Sequence, residues 1–245
     1  MQVQGAVALV TGANRGLGRA IARALVDAGA AKVYAGARDP GTVTDPDVVP
    51  VALDVTDHAQ VAALAEELGD VTLVVNNAGV ETGGDALRGD LAGHRAEFEV
   101  NFFGPLVVTR AFAPVLARNG GGALVNILSV LSWVASPRHG TYSATKAAAW
   151  SLTNLQRIQL RAAGTQVMGL HVGYTDTDLT AHLDDPKNDP DDVARALVAG
   201  LEAGAEEVLV DDVSKNVKAA LPNDLEALYP NMQKLYDAAT AAAAS

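Results

Sequence analysis

The sequence predicts an α/β protein built around a mostly parallel sheet. Short apolar runs alternate with longer stretches of helical periodicity along the chain. Such alternation is typical of β-α-β units, whose parallel strands are joined by crossover helices. The chain has 245 residues, of which 49% are hydrophobic, enough to bury one large core. No internal repeat or linker interrupts the pattern, so we expect a single domain over residues 1–245.

Seven apolar runs are predicted to form the strands. They span 7–10, 32–35, 48–53, 72–75, 123–127, 166–170 and 207–210. The helical patterns between them lie at 17–28, 57–68, 94–117, 141–163 and 190–202. Further helical patterns at 213–221 and 223–240 predict a C-terminal helical extension over about 214–245. Its second helix would open with a capping box formed by Asn223 and Glu226.

Composition excludes several classes of function. The chain has no cysteine, which excludes disulfides, Cys-based metal sites and thiol nucleophiles, and its five His residues form no H-E-x-x-H motif. We therefore expect no metal. A net charge of −11 argues against nucleic acid and anionic membranes as partners. Without a signal-peptide pattern or an apolar run of about 18 residues, a cytoplasmic location is expected.

Tyr142 and Lys146 are the first candidates for catalysis. They are four residues apart in a predicted helix, so both side chains lie on one face. An ammonium beside a phenol favours the phenolate, which lowers the Tyr pKa and suits proton exchange with an alcohol or ketone. Ser129 follows the apolar run 123–127 and would place a hydroxyl at the carboxyl end of a strand. Taken alone, a Tyr-x-x-x-Lys pattern is also common on ordinary helices.

The turn after the first strand is rich in glycine. It reads T-G-A-N-R-G-L-G from Thr11 to Gly18. Gly12 allows a tight turn, and Gly16 and Gly18 let the backbone approach a pyrophosphate. The helix that begins near Leu17 would aim free N–H groups at that pyrophosphate. Although an ordinary β-α turn is the alternative, the position and spacing favour dinucleotide binding.

These motifs together resemble one protein family. T-G-x-x-x-G-x-G at residues 11–18, N-N-A-G at 76–79, Asn101, Ser129 and Tyr142-x-x-x-Lys146 occur in order and at familiar distances. The chain resembles the short-chain dehydrogenases/reductases over roughly residues 5–215. The resemblance implies a seven-stranded doubly wound Rossmann sheet with helices on both faces. It also implies an NAD(P)(H) cofactor and hydride transfer between nicotinamide and a carbonyl or secondary alcohol.

The resemblance also implies roles for individual residues. Tyr142 would be the general acid/base, Lys146 would lower its pKa and hold the nicotinamide ribose, and Ser129 would hydrogen-bond the substrate oxygen. Asn77, Ala78 and Gly79 would frame the adenine-ribose side of the cofactor. The complete set expected to bind the cofactor is Gly12, Asn14, Arg15, Gly16, Leu17, Gly18, Arg38, Asp54, Val55, Asn77, Ala78, Gly79, Tyr142, Lys146, Gly173, Thr175 and Thr177. Asp54 has an alternative role in its turn alone.

Asn101 lies in a helical pattern that Pro105 interrupts. Because proline has no N–H, the carbonyl of Asn101 loses its helical partner and the helix should bend there. That carbonyl can then bind a water, which the family resemblance links to Lys146 in a proton relay. A bend needed only for packing is the alternative.

The cofactor is predicted to be NADP(H). In this fold an acidic residue about 20 positions beyond the glycine motif binds the ribose of NAD, whereas an Arg accommodates the 2′-phosphate of NADP. The corresponding residue here is Arg38, and Pro40 should turn Asp39 away into the loop. Arg15 is a second cation on the same side. If Arg38 were only a solvated turn residue, the enzyme would use both cofactors.

Some residues depart from the family pattern. Val172 stands where the family usually has a Pro before Gly173, which makes the placement of this loop less certain. Trp133, His139 and Tyr174 are candidate substrate contacts, although such residues more often serve packing or lie in a solvated loop. The C-terminal helices suggest a homodimer, with a homotetramer as the alternative.

The resemblance leaves several functions to compare. The predicted function is an NADP(H)-dependent carbonyl reductase or alcohol dehydrogenase acting on a small-molecule carbonyl or alcohol. The main alternative is a regulatory NADP(H)-binding protein, but this would predict a damaged Tyr142 or Lys146. A dehalogenase-type lyase would lack the glycine loop and carry Arg in place of Lys146. An enoyl reductase would space the Tyr and Lys more widely.

Overall fold

Seven parallel strands form one sheet in the computed structural model, which describes residues 1–83 and 85–243. The strands are β1 (Val7–Thr11), β2 (Lys32–Ala37), β3 (Val49–Ala52), β4 (Leu73–Asn76), β5 (Gly122–Ile127), β6 (Thr165–His171) and β7 (Glu207–Leu209). Each coincides with one predicted apolar run. Their order in the sheet is β3-β2-β1-β4-β5-β6-β7. The predicted doubly wound parallel sheet is therefore confirmed.

Helices cover both faces of the sheet. Those described are α1 (Gly16–Asp27), α2 (His58–Glu67), α3 (Leu91–Phe98), α4 (Gly104–Arg118), α5 (Tyr142–Leu160), α6 (Pro190–Glu202), α7 (Asp212–Ala220), α8 (Asp224–Ala227) and α9 (Tyr229–Ala243). Because side chains alternate along a strand, β1 contributes Val10 to one core with α1 and α6, and Leu9 to the opposite core with α2 and α4. Ile21 and Leu197 fill the first core and Phe112 the second.

The strand order reverses between β1 and β4, and this creates a crevice at their carboxyl ends. In open α/β sheets ligands bind at such a point, because neighbouring connections leave on opposite faces. Hydrogen bonds join the two strand ends here. The hydroxyl of Thr11 accepts from the backbone N–H groups of Asn77 and Ala78, each at 2.9 Å. The Asn77 amide donates to the carbonyl oxygens of Thr11 at 2.9 Å and Gly12 at 3.2 Å.

The predicted helix bend at Asn101 is a π-helical turn. It spans Glu99–Phe103 and joins α3 to α4. Since Pro105 offers no N–H to the carbonyl of Asn101, a wider turn relieves the mismatch. The bend brings Asn101, which is only 2% exposed, against α5.

The helical run Leu91–Arg118 contains an 18-residue window with a mean hydropathy of 1.4. By length and composition this is enough to cross a membrane, and 39% of the window is buried inside the protein. The run carries the buried side chains of Phe112 and Asn101 and packs against α2 and α5. Core helices of soluble proteins have the same properties. The expectation that nothing spans a membrane stays a prediction.

The C-terminal extension is helical but differs from the prediction in its middle. The pattern at 223–240 forms two helices, α8 and α9, that part at Leu228. The predicted capping box is wrong, because the Asn223 side chain caps no N–H group. The chain enters α8 from a 3₁₀ turn, Leu221–Asn223, rather than from the extended backbone that usually places a capping side chain.

Candidate active site

A cavity of about 1620 Å³ runs along the carboxyl edge of the sheet. It begins at the glycine loop between β1 and α1, crosses the ends of β4 and β5, and reaches the start of α5. Every residue predicted to bind the cofactor lines it, and so do Ser129, Tyr142 and Lys146. Asn101 lies behind the wall rather than on it, in contact with Gly79.

The glycine loop has no room for larger residues. Gly12 and Gly16 have φ values of 65° and 52°, which few other residues adopt without strain. A Cβ atom on Gly18 would lie 2.1 Å from the carbonyl oxygen of Gly12. Because α1 begins at Gly16, its free N–H groups are available for a phosphate. The loop therefore has the shape and polarity that a pyrophosphate requires.

Tyr142, Lys146 and Ser129 meet on the wall of the cavity beyond this loop. The Lys146 ammonium lies 5.6 Å from the centre of the Tyr142 ring and donates a hydrogen bond of 3.0 Å to the carbonyl oxygen of Ile127. The Ser129 hydroxyl accepts from the N–H of Leu131 at 3.1 Å. Its own proton remains free to be donated into the cavity. The three side chains therefore line one cavity, and their catalytic roles stay a prediction.

The pKa of Tyr142 does not follow the sequence prediction. Burial, with the carboxylates of Glu81 and Glu97 nearby, raises the pKa of the Tyr142 phenol, whereas a lowered pKa was expected. Burial also lowers the pKa of Lys146 to about 8. The ammonium donates to Ile127 rather than to the phenol, so its charge does not offset the desolvation of Tyr142. The phenol is therefore protonated at neutral pH.

Asn101 connects two segments of the site. Its side-chain amide accepts from the N–H of Val80 at 2.9 Å and donates to the Val80 carbonyl at 2.8 Å. It also donates to the Thr145 hydroxyl at 3.0 Å. The side chain thus ties the loop after β4 to α5, one residue before Lys146. The relay of protons through a water on the Asn101 carbonyl stays a prediction.

The residues after β2 lie at the opposite end of the cavity. Arg38 is exposed on the cavity wall. Asp39 accepts from the N–H of Gly41 at 2.9 Å and caps the 3₁₀ turn Pro40–Thr42. It is exposed and lines the same cavity as Arg38, so the prediction that Pro40 turns it away from the cofactor is not confirmed. Arg15 forms an ion pair of 2.9 Å with Asp178. Asp54 accepts from the N–H and hydroxyl of Thr56, and these bonds lower its pKa.

The loop after β6 is held in place without the missing proline. Asp211 accepts from the N–H of Gly173 and from the Asn188 amide, each at 2.7 Å. A proline in place of Val172 would leave the N–H of Gly173 intact but would restrict the turn before it. In this protein the Asp211 carboxylate restrains the loop instead. Thr175 and Thr177 follow on the cavity wall. The buried hydroxyl of Thr175 has no hydrogen-bond partner among the described residues, so a ligand amide at this position would satisfy it.

Trp133, His139 and Tyr174 have different environments. Trp133 stacks on His171 with ring centres 3.8 Å apart and does not line the cavity, so packing explains it. Burial lowers the pKa of His171 to about 4, which keeps its ring neutral within this stack. His139 and Tyr174 do line the cavity and are hydrogen-bonded to each other.

Several residues of the site were not found from the sequence. Glu81 and Glu97 affect the pKa of Tyr142, and α9 contributes Met232 and Leu235 to the cavity wall. Glu97 lies one helical turn before Asn101, but helical spacing does not distinguish a buried glutamate from a solvated one. The i, i+3 spacing of Met232 and Leu235 indicates one apolar helix face without showing what it covers.

Comparison with known proteins agrees with this geometry. A family model described as short chain dehydrogenase matches residues 6–188. The chain belongs to the short-chain dehydrogenase family. A short chain dehydrogenase of Burkholderia cenocepacia J2315, solved in complex with NADP, has a TM-score of 0.90 and 41% identity, covering 95% of this chain and 99% of that one.

Two further relatives have lower identity to this chain. A short chain dehydrogenase/reductase of Burkholderia phymatum, solved in complex with NAD, has a TM-score of 0.83 and 26% identity over 92% of this chain and 96% of that one. The short chain dehydrogenase tazN of Aspergillus terreus is 34% identical over 198 residues, 73% of this chain. This chain spans only 43% of the length of tazN. As an oxidoreductase of this family, the protein binds a nicotinamide cofactor.

Replacing Gly18 with alanine is expected to weaken binding of that cofactor by this short-chain dehydrogenase. The added Cβ would clash with the Gly12 carbonyl oxygen and the Asn77 amide, at 2.1 and 2.4 Å. Overpacking costs about 1–3 kcal/mol, so the Kd should rise roughly 10- to 100-fold. Calorimetry measures it. Gly69→Ala is the control, because its Cβ meets no atom closer than 4.0 Å. Equal Kd values for the two variants would contradict the role of the glycine loop.

Proposed function

We propose that this short-chain dehydrogenase is an NADP(H)-dependent oxidoreductase of the carbonyl reductase or alcohol dehydrogenase type. It would transfer hydride between nicotinamide and a carbonyl or secondary alcohol. The observation that carries the proposal is the meeting of Tyr142, Ser129 and Lys146 on one cavity wall, at the end of a glycine-walled crevice.

Tyr142, Ser129 and Lys146 have separate roles in the proposed reaction. The bound cofactor supplies or accepts the hydride. In the direction of carbonyl reduction, the phenol of Tyr142 gives its proton to the substrate oxygen as the general acid. The Ser129 hydroxyl donates to the same oxygen, because its acceptor side is already used by the N–H of Leu131. The Lys146 ammonium binds the cofactor ribose, while its bond to Ile127 fixes its position.

The protonation state of Tyr142 affects the two directions of the reaction differently. A phenol whose pKa is raised by burial is protonated throughout the neutral range, which is the form that a general acid needs. Oxidation of an alcohol requires the phenolate instead, so its rate should rise with pH.

The preference for NADP(H) rests on Arg38. The exposed guanidinium stands at the end of β2, where the ribose of the adenosine half binds in this fold. One oxygen of the neighbouring Asp39 carboxylate accepts within its own turn. Arginine forms strong, often bidentate bonds to phosphate, so this end of the cavity suits a 2′-phosphate better than a free 2′-hydroxyl.

A screen of cofactor oxidation tests the function. Purified protein is mixed with NADPH and a panel of aldehydes, ketones, ketoesters and quinones, and absorbance at the nicotinamide band is followed. Consumption of NADPH with at least one carbonyl compound is expected. Tight binding of NADPH without turnover on any member of the panel would instead support a regulatory, non-catalytic protein.

A further inference from the structure

Three side chains form a hydrogen-bonded chain on the wall of the cavity. The Nδ1 atom of His139 lies 2.5 Å from Oε1 of Glu81, and its Nε2 atom lies 2.7 Å from the hydroxyl of Tyr174. The three residues come from different loops, after β4, before α5 and after β6. The side chains of His139 and Glu81 are 2% and 11% exposed, whereas Tyr174 is only half-buried.

The two ring nitrogens of His139 have different partners. Nδ1 faces the Glu81 carboxylate, which accepts its proton, and Nε2 faces the Tyr174 hydroxyl. Burial and the nearby Asp185 carboxylate raise the pKa of Tyr174, so its hydroxyl keeps its proton. A hydroxyl can both donate and accept, so Tyr174 retains hydrogen-bonding capacity for a ligand in the cavity.

The hydrogen-bonded side chains of Glu81, His139 and Tyr174 lie directly beside the proposed catalytic residue, Tyr142. The carbonyl of His139 accepts from the N–H of Tyr142 at 2.9 Å, and the two rings are 6.5 Å apart. Tyr142 and Tyr174 line the same cavity. A substrate whose carbonyl oxygen reaches Tyr142 therefore also meets a second polar group on the wall of the same cavity, the Tyr174 hydroxyl.

We propose that Tyr174, oriented by His139 and Glu81, forms a hydrogen bond with a hydroxyl group of the substrate, so that the enzyme prefers hydroxylated carbonyl compounds to plain ketones. This rests on the proposed function and specifies its substrate class. His139 and Glu81 are positioning residues, because they act through Tyr174.

A purely structural brace between the three loops is the competing explanation. A tyrosine whose oxygen faced the protein interior would connect the loops equally well. The half-exposed position of Tyr174 on the cavity wall and its orientation by His139 favour contact with a substrate. The neighbouring Arg138, paired with Asp185 at 3.2 Å, adds further polar character to this side of the cavity.

The test compares matched substrates in matched variants. With NADPH, kcat/KM is measured for 1-hydroxy-2-butanone and for 2-butanone, in the wild-type protein and in Tyr174→Phe. A site built around a hydrogen bond discriminates strongly against ligands that lack the bonding group. We expect Tyr174→Phe to lower kcat/KM for the hydroxyketone about 10- to 100-fold and for the plain ketone less than about threefold. His139→Gln should reduce the ratio of the two values in the same direction.

Tyr34→Phe is the control. It removes a tyrosine hydroxyl that is bonded to the carboxylate of Asp70 outside the cavity, and it should leave the substrate ratio unchanged. Equal losses for both ketones in Tyr174→Phe, or no loss for either, would overturn the proposal.

A binding measurement separates this proposal from the proposed function. Calorimetry of the NADP-loaded protein with 1,2-butanediol and with 2-butanol needs no turnover. Tighter binding of the diol that is lost in Tyr174→Phe supports the role of Tyr174 even if no carbonyl is reduced. Equal binding of the two alcohols to the wild-type protein overturns it, whatever the activity.

Discussion

Replacing Tyr142 with phenylalanine is expected to lower kcat for carbonyl reduction by about 10²- to 10⁴-fold. The substitution removes the phenolic proton and little else, because the ring keeps its place at the start of α5. The Kd for NADPH and the thermal midpoint should therefore change little.

Steady-state kinetics with the best carbonyl substrate of the screen measure the effect. If Tyr142→Phe kept more than roughly a tenth of the wild-type kcat, Tyr142 would not be the general acid. If the affinity for NADPH fell by the same factor as kcat, the result would instead indicate that the variant disturbs the cofactor site.

The pH dependence follows from the same two side chains. Since the pKa of Tyr142 is raised, reduction should show no loss of the acid form through the neutral range, whereas alcohol oxidation should become faster as the pH rises. The lowered pKa of Lys146, about 8, means that its ammonium is present below pH 8 and lost above it. The KM for NADPH should therefore rise above that pH. A KM that stays constant to pH 10 would contradict the role of Lys146 in holding the ribose.

The second large effect concerns the choice of cofactor. The wild-type protein is expected to prefer NADPH over NADH by roughly 10²- to 10³-fold in kcat/KM, since charge-assisted bonds to a phosphate contribute about 1.5–3 kcal/mol each. Arg38→Asp should remove most of this preference. The new carboxylate would repel the 2′-phosphate and could accept from the free 2′-hydroxyl of NADH.

Arg15 contributes less to this preference than Arg38. Its guanidinium is already paired with Asp178 in an exposed position, so a phosphate would have to replace an existing partner. The matched control is Arg110→Asp, an equal change of charge at an exposed position outside the cavity. Similar kcat/KM values for NADPH and NADH in the wild-type protein, or the same shift in Arg110→Asp, would remove the argument for a phosphate site at Arg38.

Local patterns account for what the sequence predicted well. The strands were found because a strand buried on both faces is a short, uninterrupted apolar run. The bend at Asn101 followed from the missing N–H of Pro105. Each of these depends on residues close together in the chain.

The errors concern properties that depend on distant residues. The pKa of Tyr142 was predicted from Lys146 alone, whereas its direction is set by burial and by Glu81 and Glu97. The spacing of Tyr142 and Lys146 contains no information about the burial of the phenol or about these two carboxylates. The same limit applies to Asn223, whose capping pattern was correct in composition but lies on a 3₁₀ turn. Tertiary placement also decides which helix faces reach the cavity.

The position of α9 separates the residues that shape part of the cavity from the residues that bind the cofactor. The cofactor groups lie on loops anchored by the central strands, while Met232 and Leu235 reach the cavity from a helix outside the sheet. The described side-chain hydrogen bonds of α9, from Gln233 to Asp237 and from Thr240 to Tyr236, stay within the helix itself. Exchange of this one helix between relatives would therefore alter the shape of the substrate space while the sheet and its cofactor loops keep their stability. Natural variation or directed evolution can thus diversify the substrates of this enzyme at a segment that is free to change.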